Sequence, residues 1–170
     1  MKDFTIRNIL KFIFIIYISD KIIKLVFQNK LITKEPKLSV IMPIYNGEEY
    51  INLSLSSVQK QKFKDIEIIM VDDNSNDDSL KIIRSYIQKD KRIKLIENKE
   101  NRRILFSKSL AALNSRGKYI IEIDQDDMFT RDDVFDILYN ESEKYGLDIL
   151  HFNYSFGEGD FDKTKLETIF

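Results

Sequence analysis

The chain has 170 residues, 43% hydrophobic and 32% charged, with only 5 Gly and 2 Pro. That composition fits one folded globular domain and excludes fibrous and disordered classes. A formal net charge of −1 gives no global attraction to nucleic acid, so no nucleic-acid partner is expected. With no Cys and one His, thiolate and histidine-rich metal centres are excluded, and any metal must be held by oxygen.

Residues 4–27 are mostly apolar, but Arg7, Lys11, Asp20, Lys21 and Lys24 interrupt them. The longest uncharged run, Phe12 to Ser19, is shorter than a bilayer span. Three readings follow: a short signal-anchor with snorkelling lysines, an interfacial amphipathic helix, or an extra helix packed on the domain. The two membrane-associated readings together are preferred. Lys21, Lys24, Lys30, Lys34 and Lys37 outnumber the basic residues before the apolar run, which places the remaining domain on the cytoplasmic side, with an endomembrane lumen as the alternative. Pro36 marks a linker, so residues 1–37 form an apolar segment and linker, 38–156 the domain and 157–170 a tail.

From Leu38 the pattern alternates between strand and helix. Leu38 to Ile44 is an apolar, β-rich run with Pro43 near its end. Asn46 with Glu49 three residues on reads as a helix cap, and Ile51, Leu55 and Val58 share one helical face. Ile66 to Val71 is a second strand ending in Asp72-Asp73, followed by a polar turn at Asn74 to Asp78 and a helix burying Leu80, Ile83 and Ile87. Ile93 to Ile96 is a third strand; a helix around Leu105 to Asn114 follows, closed by Gly117. Tyr119 begins the next strand, Thr130 and Asp133 offer a cap for a helix to about Tyr145, and Gly146 lies past its end. Leu147 to Phe156 alternates like an edge strand, with His151 in a structural role.

Strands alternating with helices predict an α/β sandwich, a mainly parallel sheet covered on both faces. Ligands then collect beyond the carboxyl ends of the strands. Tyr45-Asn46, Asp72-Asp73 and Asp124 to Asp127 all lie there, so three clusters distant in sequence should meet at one rim. Asp124, Asp126 and Asp127 repel one another when ionised, and a hard divalent cation, Mn²⁺ or Mg²⁺, relieves that repulsion while bridging phosphate oxygens. Asp73 can accept hydrogen bonds from a base or ribose, and the Tyr45 ring can stack on a nucleobase. Asn101, Arg102, Arg103 and Lys108 form a basic group able to reach a diphosphate, whereas Asp132 and Asp133 read as first-turn helix carboxylates.

The segments Ser39 to Asn46, Glu67 to Ser75 and Gly117 to Asp127 together resemble the family 2 glycosyltransferases, with a GT-A, Rossmann-like fold. The resemblance covers roughly Leu38 to Phe156. It implies transfer of a sugar from a nucleotide-sugar donor, UDP-linked by preference, to a glycan, lipid or protein acceptor, assisted by a divalent metal and with inversion. It also implies that Pro43, Tyr45 and Asn46 line the nucleotide pocket, that Asp73 contacts the base and that Asp124 lies near ribose and phosphate. Asp126 would be the principal metal ligand, with Asp124 and Asp127 beside it. The general base is expected downstream of the aligned region and is unassigned. Arg103 stands where many relatives carry Gly, which bears on how its loop meets the diphosphate. The alternatives are a non-catalytic nucleotide-sugar-binding or membrane-associated interaction module, and a phosphoacceptor receiver domain suggested by Val71-Asp72-Asp73 but starting one strand too late.

Overall fold

A computed structural model describes residues 35–150, and the N-terminal apolar segment, His151 and the expected tail lie outside them. The chain divides into two compact units, Met1–Glu35 and Pro36–Phe170, and the architecture below belongs to the second. Four strands, β1 (Leu38–Ile44), β2 (Ile66–Asp72), β3 (Ile93–Glu97) and β4 (Tyr119–Glu122), alternate with helices α1 (Ile51–Gln59), α2 (Ser79–Lys89), α3 (Arg103–Leu113) and α4 (Val134–Tyr145). Every pairing is parallel and the order is β3-β2-β1-β4.

That order explains the layers. The chain steps outward from β1 to β2 to β3, then returns across β1 to place β4 on its other side. Crossovers of one hand put a helix on opposite faces when the direction of travel reverses. Accordingly Ile51, Leu55 and Val58 of α1, Ile83 of α2, and Phe135 and Leu138 of α4 share a core with Leu38, Val40, Met42 and Ile44 of β1. On the other face, Ala111 of α3 packs with Ile41, Ile69 and Val71. All residues of β1 and β2 are buried, which is why both read as continuous apolar runs rather than alternating ones.

Several local expectations are corrected. α1 starts at Ile51 with no side-chain cap, because Asn46 is spent elsewhere: its Oδ1 accepts the Asn76 N–H at 2.8 Å. The Thr130–Asp133 cap also fails, since the Asp133 carboxylate is taken by the Arg131 guanidinium and α4 begins at Val134. Gly146 does close that helix in the left-handed conformation, with φ 63°. α3 ends at Leu113, not at Gly117. Gly117 instead passes so close to β1 that a Cβ there would lie 2.4 Å from the Ser39 nitrogen. Residues 147–150 form no strand, and the remainder of the expected edge strand lies outside the described residues.

At the amino end of the sheet Glu67 is buried inside a donor set. It accepts from Ser39 Oγ at 2.7 Å, the Arg116 N–H at 2.6 Å and Lys94 Nζ at 2.6 Å. Burial pushes its carboxyl upward, but the bonds from Lys94, Ser39 and Arg116 outweigh that and hold it below its ordinary value. A depressed folded pKa contributes stability above the unfolded pKa of about 4.3, and that contribution disappears as pH falls through the folded value. Glu67→Gln should therefore lower unfolding free energy by about 1–3 kcal/mol at neutral pH. Urea titrations should show the gap to wild type narrowing as the pH is lowered through the carboxylate range.

Candidate functional site

The reversal of strand order at β1 leaves a crevice between the carboxyl ends of β1 and β4, the switch point where α/β sheets bind ligands. The backbone shows how it opens. Ile41 C=O accepts the Ile123 N–H at 3.1 Å, whereas Ile44 C=O accepts the Asp73 N–H at 2.8 Å. Odd-numbered positions of β1 therefore face β4 and even-numbered ones face β2. Position 43 faces β4, and proline has no N–H to donate, so the ladder stops there and the strands part. A cleft of about 480 Å³ results, lined by Pro43, Ile44, Tyr45, Asp73, Asn101, Arg103, Ile104, Ser107, Asp124, Gln125 and Asp126.

Pro43, Tyr45, Asp73, Arg103, Asp124 and Asp126 thus stand around one cleft. Asn46 and Asp127 are not among its lining residues. Asn46, with φ 49°, belongs to a network joining two loops: its N–H donates to Ser75 Oγ at 3.0 Å, Gly47 N–H to Ser79 Oγ at 2.8 Å, and Asp78 N–H to Glu48 Oε2 at 2.8 Å. This network fixes the backbone that presents Tyr45, a residue 43% exposed.

Asp73 is nearly inaccessible, and its Oδ1 accepts both Asn98 Nδ2 at 2.7 Å and the Arg102 N–H at 2.8 Å. Burial would raise its pKa, but hydrogen bonds from the backbone of Arg102, from Asn98, from the Arg103 backbone and from Ser107 outweigh it, and the carboxyl sits below its usual value. One oxygen of Asp73 thereby ties the 98–103 loop to the rim. Asp72 turns into the fold, where its Oδ2 accepts the Ser75 N–H at 3.1 Å.

The acidic loop divides its charges unevenly. Lys108 of α3 sits between Glu122 and Asp124, with its ammonium 3.0 Å from Asp124 Oδ1. Burial would lower the Lys108 pKa, but Glu122 and Asp124 outweigh this and raise it, so it stays charged at neutral pH. Asp126 is exposed and makes no hydrogen bond or ion pair among the described residues. Asp127 lies at the outer edge, where partial burial and then the charges of Asp126 and Asp124 push its carboxyl above the ordinary range. Such a raised carboxyl beside a free one fits a hard cation. The triplet is nevertheless no closed cage: among the described residues no group of three acidic or histidine side chains is gathered to hold a metal alone. A cation here would take its remaining ligands from substrate oxygens and water, as Mg²⁺-type sites do.

A larger cleft of about 620 Å³ lies between α1 and residues 128–133, and it holds none of these rim residues. Its carboxylates, Asp132 and Asp133, are committed to Lys62 and Arg131.

Two residues at the site escaped the sequence reading. Asn98 bridges Asp73 and Ser107 Oγ, the latter at 3.1 Å. Gln125 spans the crevice: its Oε1 accepts the Tyr45 N–H at 2.8 Å, and its Nε2 donates to the Tyr45 carbonyl at 3.1 Å. The proximity of Gln125 to Asp124 and Asp126 was the only available signal.

A parallel α/β sheet with this crevice at its switch point is the GT-A glycosyltransferase fold. Residues 39–169 match the profile described as Glycosyl transferase family 2, and the chain belongs to that family. An uncharacterized glycosyltransferase of Haemophilus influenzae is 35% identical over 78% of this chain and 53% of its own length. Glycosyltransferase GlyA of Streptococcus pneumoniae is 36% identical over 74% of this chain and 18% of its own. The chain thus spans about half the length of the first relative and less of the second. Among solved structures, S. aureus TarS in complex with UDP-GlcNAc aligns with a TM-score of 0.64 at 26% identity, over 77% of this chain and 38% of that one.

Arg103 completes the rim in a costly conformation. Its φ of 69° is left-handed, and unlike Asn46 and Asn74, which tolerate that region, a long side chain there costs about 1–2 kcal/mol. Its N–H is held by Asn101 Oδ1 at 3.0 Å, while its guanidinium has no acceptor among the described residues. Replacing Arg103 by Gly removes the strain and returns part of the gain as chain entropy, so unfolding free energy should rise by about 0.5–1 kcal/mol. Thermal unfolding of the two proteins measures this.

Proposed function

We propose that the chain forms the donor side of a glycosyltransferase that takes a nucleotide-sugar, UDP-linked by preference, and works with inversion on a glycan, lipid or protein acceptor. The observation that carries the reading is the joining of an exposed aromatic, a free guanidinium and a free carboxylate around one switch-point cleft, at Tyr45, Arg103 and Asp126. Family membership and the likeness to TarS, a protein seen with UDP and with UDP-GlcNAc, support it. On this reading Tyr45 stacks on the base and Asp73 braces the wall beside it. Arg103 faces the diphosphate, where a guanidinium can pair with two phosphate oxygens. Asp126 would hold Mn²⁺ or Mg²⁺, with Asp127 assisting and Asp124 kept in place by Lys108. A bound divalent ion would neutralise charge developing on the departing nucleoside diphosphate. The acceptor hydroxyl must lose a proton as it attacks the anomeric carbon, and no residue of the cleft is assigned that task.

The full chain, incubated with Mn²⁺ and a panel of nucleotide-sugars and candidate acceptors, should release nucleoside diphosphate. Asp126→Asn should slow that release by about two orders of magnitude, as expected when a metal's principal carboxylate is lost. Donor binding without turnover by calorimetry would return the non-catalytic module, and no binding at all would sink both.

A further inference from the structure

The acidic loop carries Asp126, yet none of its carboxylates fastens it to the opposite wall of the crevice. That fastening is made by the residue between them. Pro43 ends the ladder between β1 and β4, so the next position facing β4, Tyr45, has a backbone N–H and C=O with no strand beside them. The Gln125 carboxamide fills the gap, accepting from the N–H at 2.8 Å and donating to the C=O at 3.1 Å. An amide presents one acceptor and one donor in a plane, as a peptide unit does, so the side chain supplies the missing rung. The backbone around Tyr45 has been shaped to admit it: a Cβ at Gly47 would lie 2.6 Å from Gln125 Oε1 and 2.9 Å from its Cδ. Glycine at position 47 is therefore what leaves room for the amide.

We propose that Gln125 is a positioning residue that latches the acidic loop to the Tyr45 backbone, fixing Asp126 relative to the aromatic end of the cleft. This rests on the donor-binding reading above. The Tyr45 side of the latch is held independently, by the Asn46–Ser75 and Gly47–Ser79 bonds, whereas the acidic loop is braced at its two ends, at Asp124 by Lys108, by Ser54 Oγ and by the Asp127 N–H, and at Phe129 by Ser57 Oγ, with no such bond at Asp126. Loss of the latch should therefore loosen the carboxylate end and leave the aromatic end in place.

The test is calorimetric titration of the full chain with UDP plus Mn²⁺, and separately with uridine, which reaches the aromatic wall but carries no phosphate. Gln125→Met keeps length and shape while removing both hydrogen bonds. It should weaken UDP–Mn²⁺ binding about tenfold, the range found when groups orienting a metal ligand are lost, and leave uridine binding within about twofold. Gly47→Ala, which leaves Gln125 intact but pushes its amide aside, should give the same selective loss. The double variant should be no worse than the poorer single one, because both remove one latch. Equal UDP–Mn²⁺ affinity in Gln125→Met and wild type overturns the inference, as does a parallel loss for UDP and uridine. A wild-type chain that binds no UDP overturns the donor-binding reading itself, and the latch with it.

Discussion

The structure depends on one strand being flanked by parallel neighbours reached from opposite directions. β1 is buried along its whole length and carries one polar residue, Ser39, so it can only be an interior strand of the sheet. With β2 on one side and β4 on the other, the two crossovers leave opposite faces, and among the described residues a cleft opens at the carboxyl ends. Pro43 makes this opening sharper than topology alone would. Its missing N–H falls on the β4 side, where a continuing ladder would have closed the gap. A residue that reads in sequence as a strand breaker is, in three dimensions, what turns a strand pair into a crevice.

The two ends of the sheet use charge in opposite ways. At the amino end Glu67 is buried and surrounded by donors from Ser39, Lys94 and Arg116, so its charge is fully answered within the fold. At the carboxyl end Asp73 is answered too, by Asn98 and the Arg102 backbone, but the answer is a brace for the cleft wall. Among the described residues, Asp126 and the Arg103 guanidinium are the charged groups of the rim that make no hydrogen bond or ion pair. Opposite charges left unpaired around one cleft suit a ligand that carries both an anion and a bound cation.

Much of this was legible in the sequence because burial leaves periodic traces. Leu38 to Ile44 and Ile66 to Val71 read as strands, and the strand-end position of Tyr45, Asp73 and Asp124 followed from the alternation of strand and helix. What remained hidden are bonds between a side chain and a distant backbone. Gln125 and Tyr45 are 80 positions apart, and no period or composition links them. The same cause explains the failed caps. Asn46 and Asp133 have the right chemistry and spacing, yet Asn76 and Arg131 claimed their oxygens first. Local signals specify which groups need partners; tertiary packing decides which partner each one meets. The polarity of the rim could be read, but not the division of labour within it, and Asp73 turned out to brace a loop.

That division of labour follows from the placement of Lys108. Its ammonium lies between Glu122 and Asp124, two acceptors that keep it protonated despite burial. Asp124 is thereby paired inside the protein and serves as a strut for the loop it begins. The loop's remaining negative charge lies outward on Asp126 and Asp127, where partial burial and then the charges of Asp126 and Asp124 raise Asp127. Without Lys108 beside it, Asp124 would add an unanswered charge to those of Asp126 and Asp127, and the loop would lose the ion pair at its base. With Lys108 where it is, a cation of the kind proposed would meet at Asp126 a loop already held at Asp124 by charge and at Gln125 by hydrogen bonds. The attraction between carboxylate and cation can then act on the ligand, because little of it is needed to order the protein.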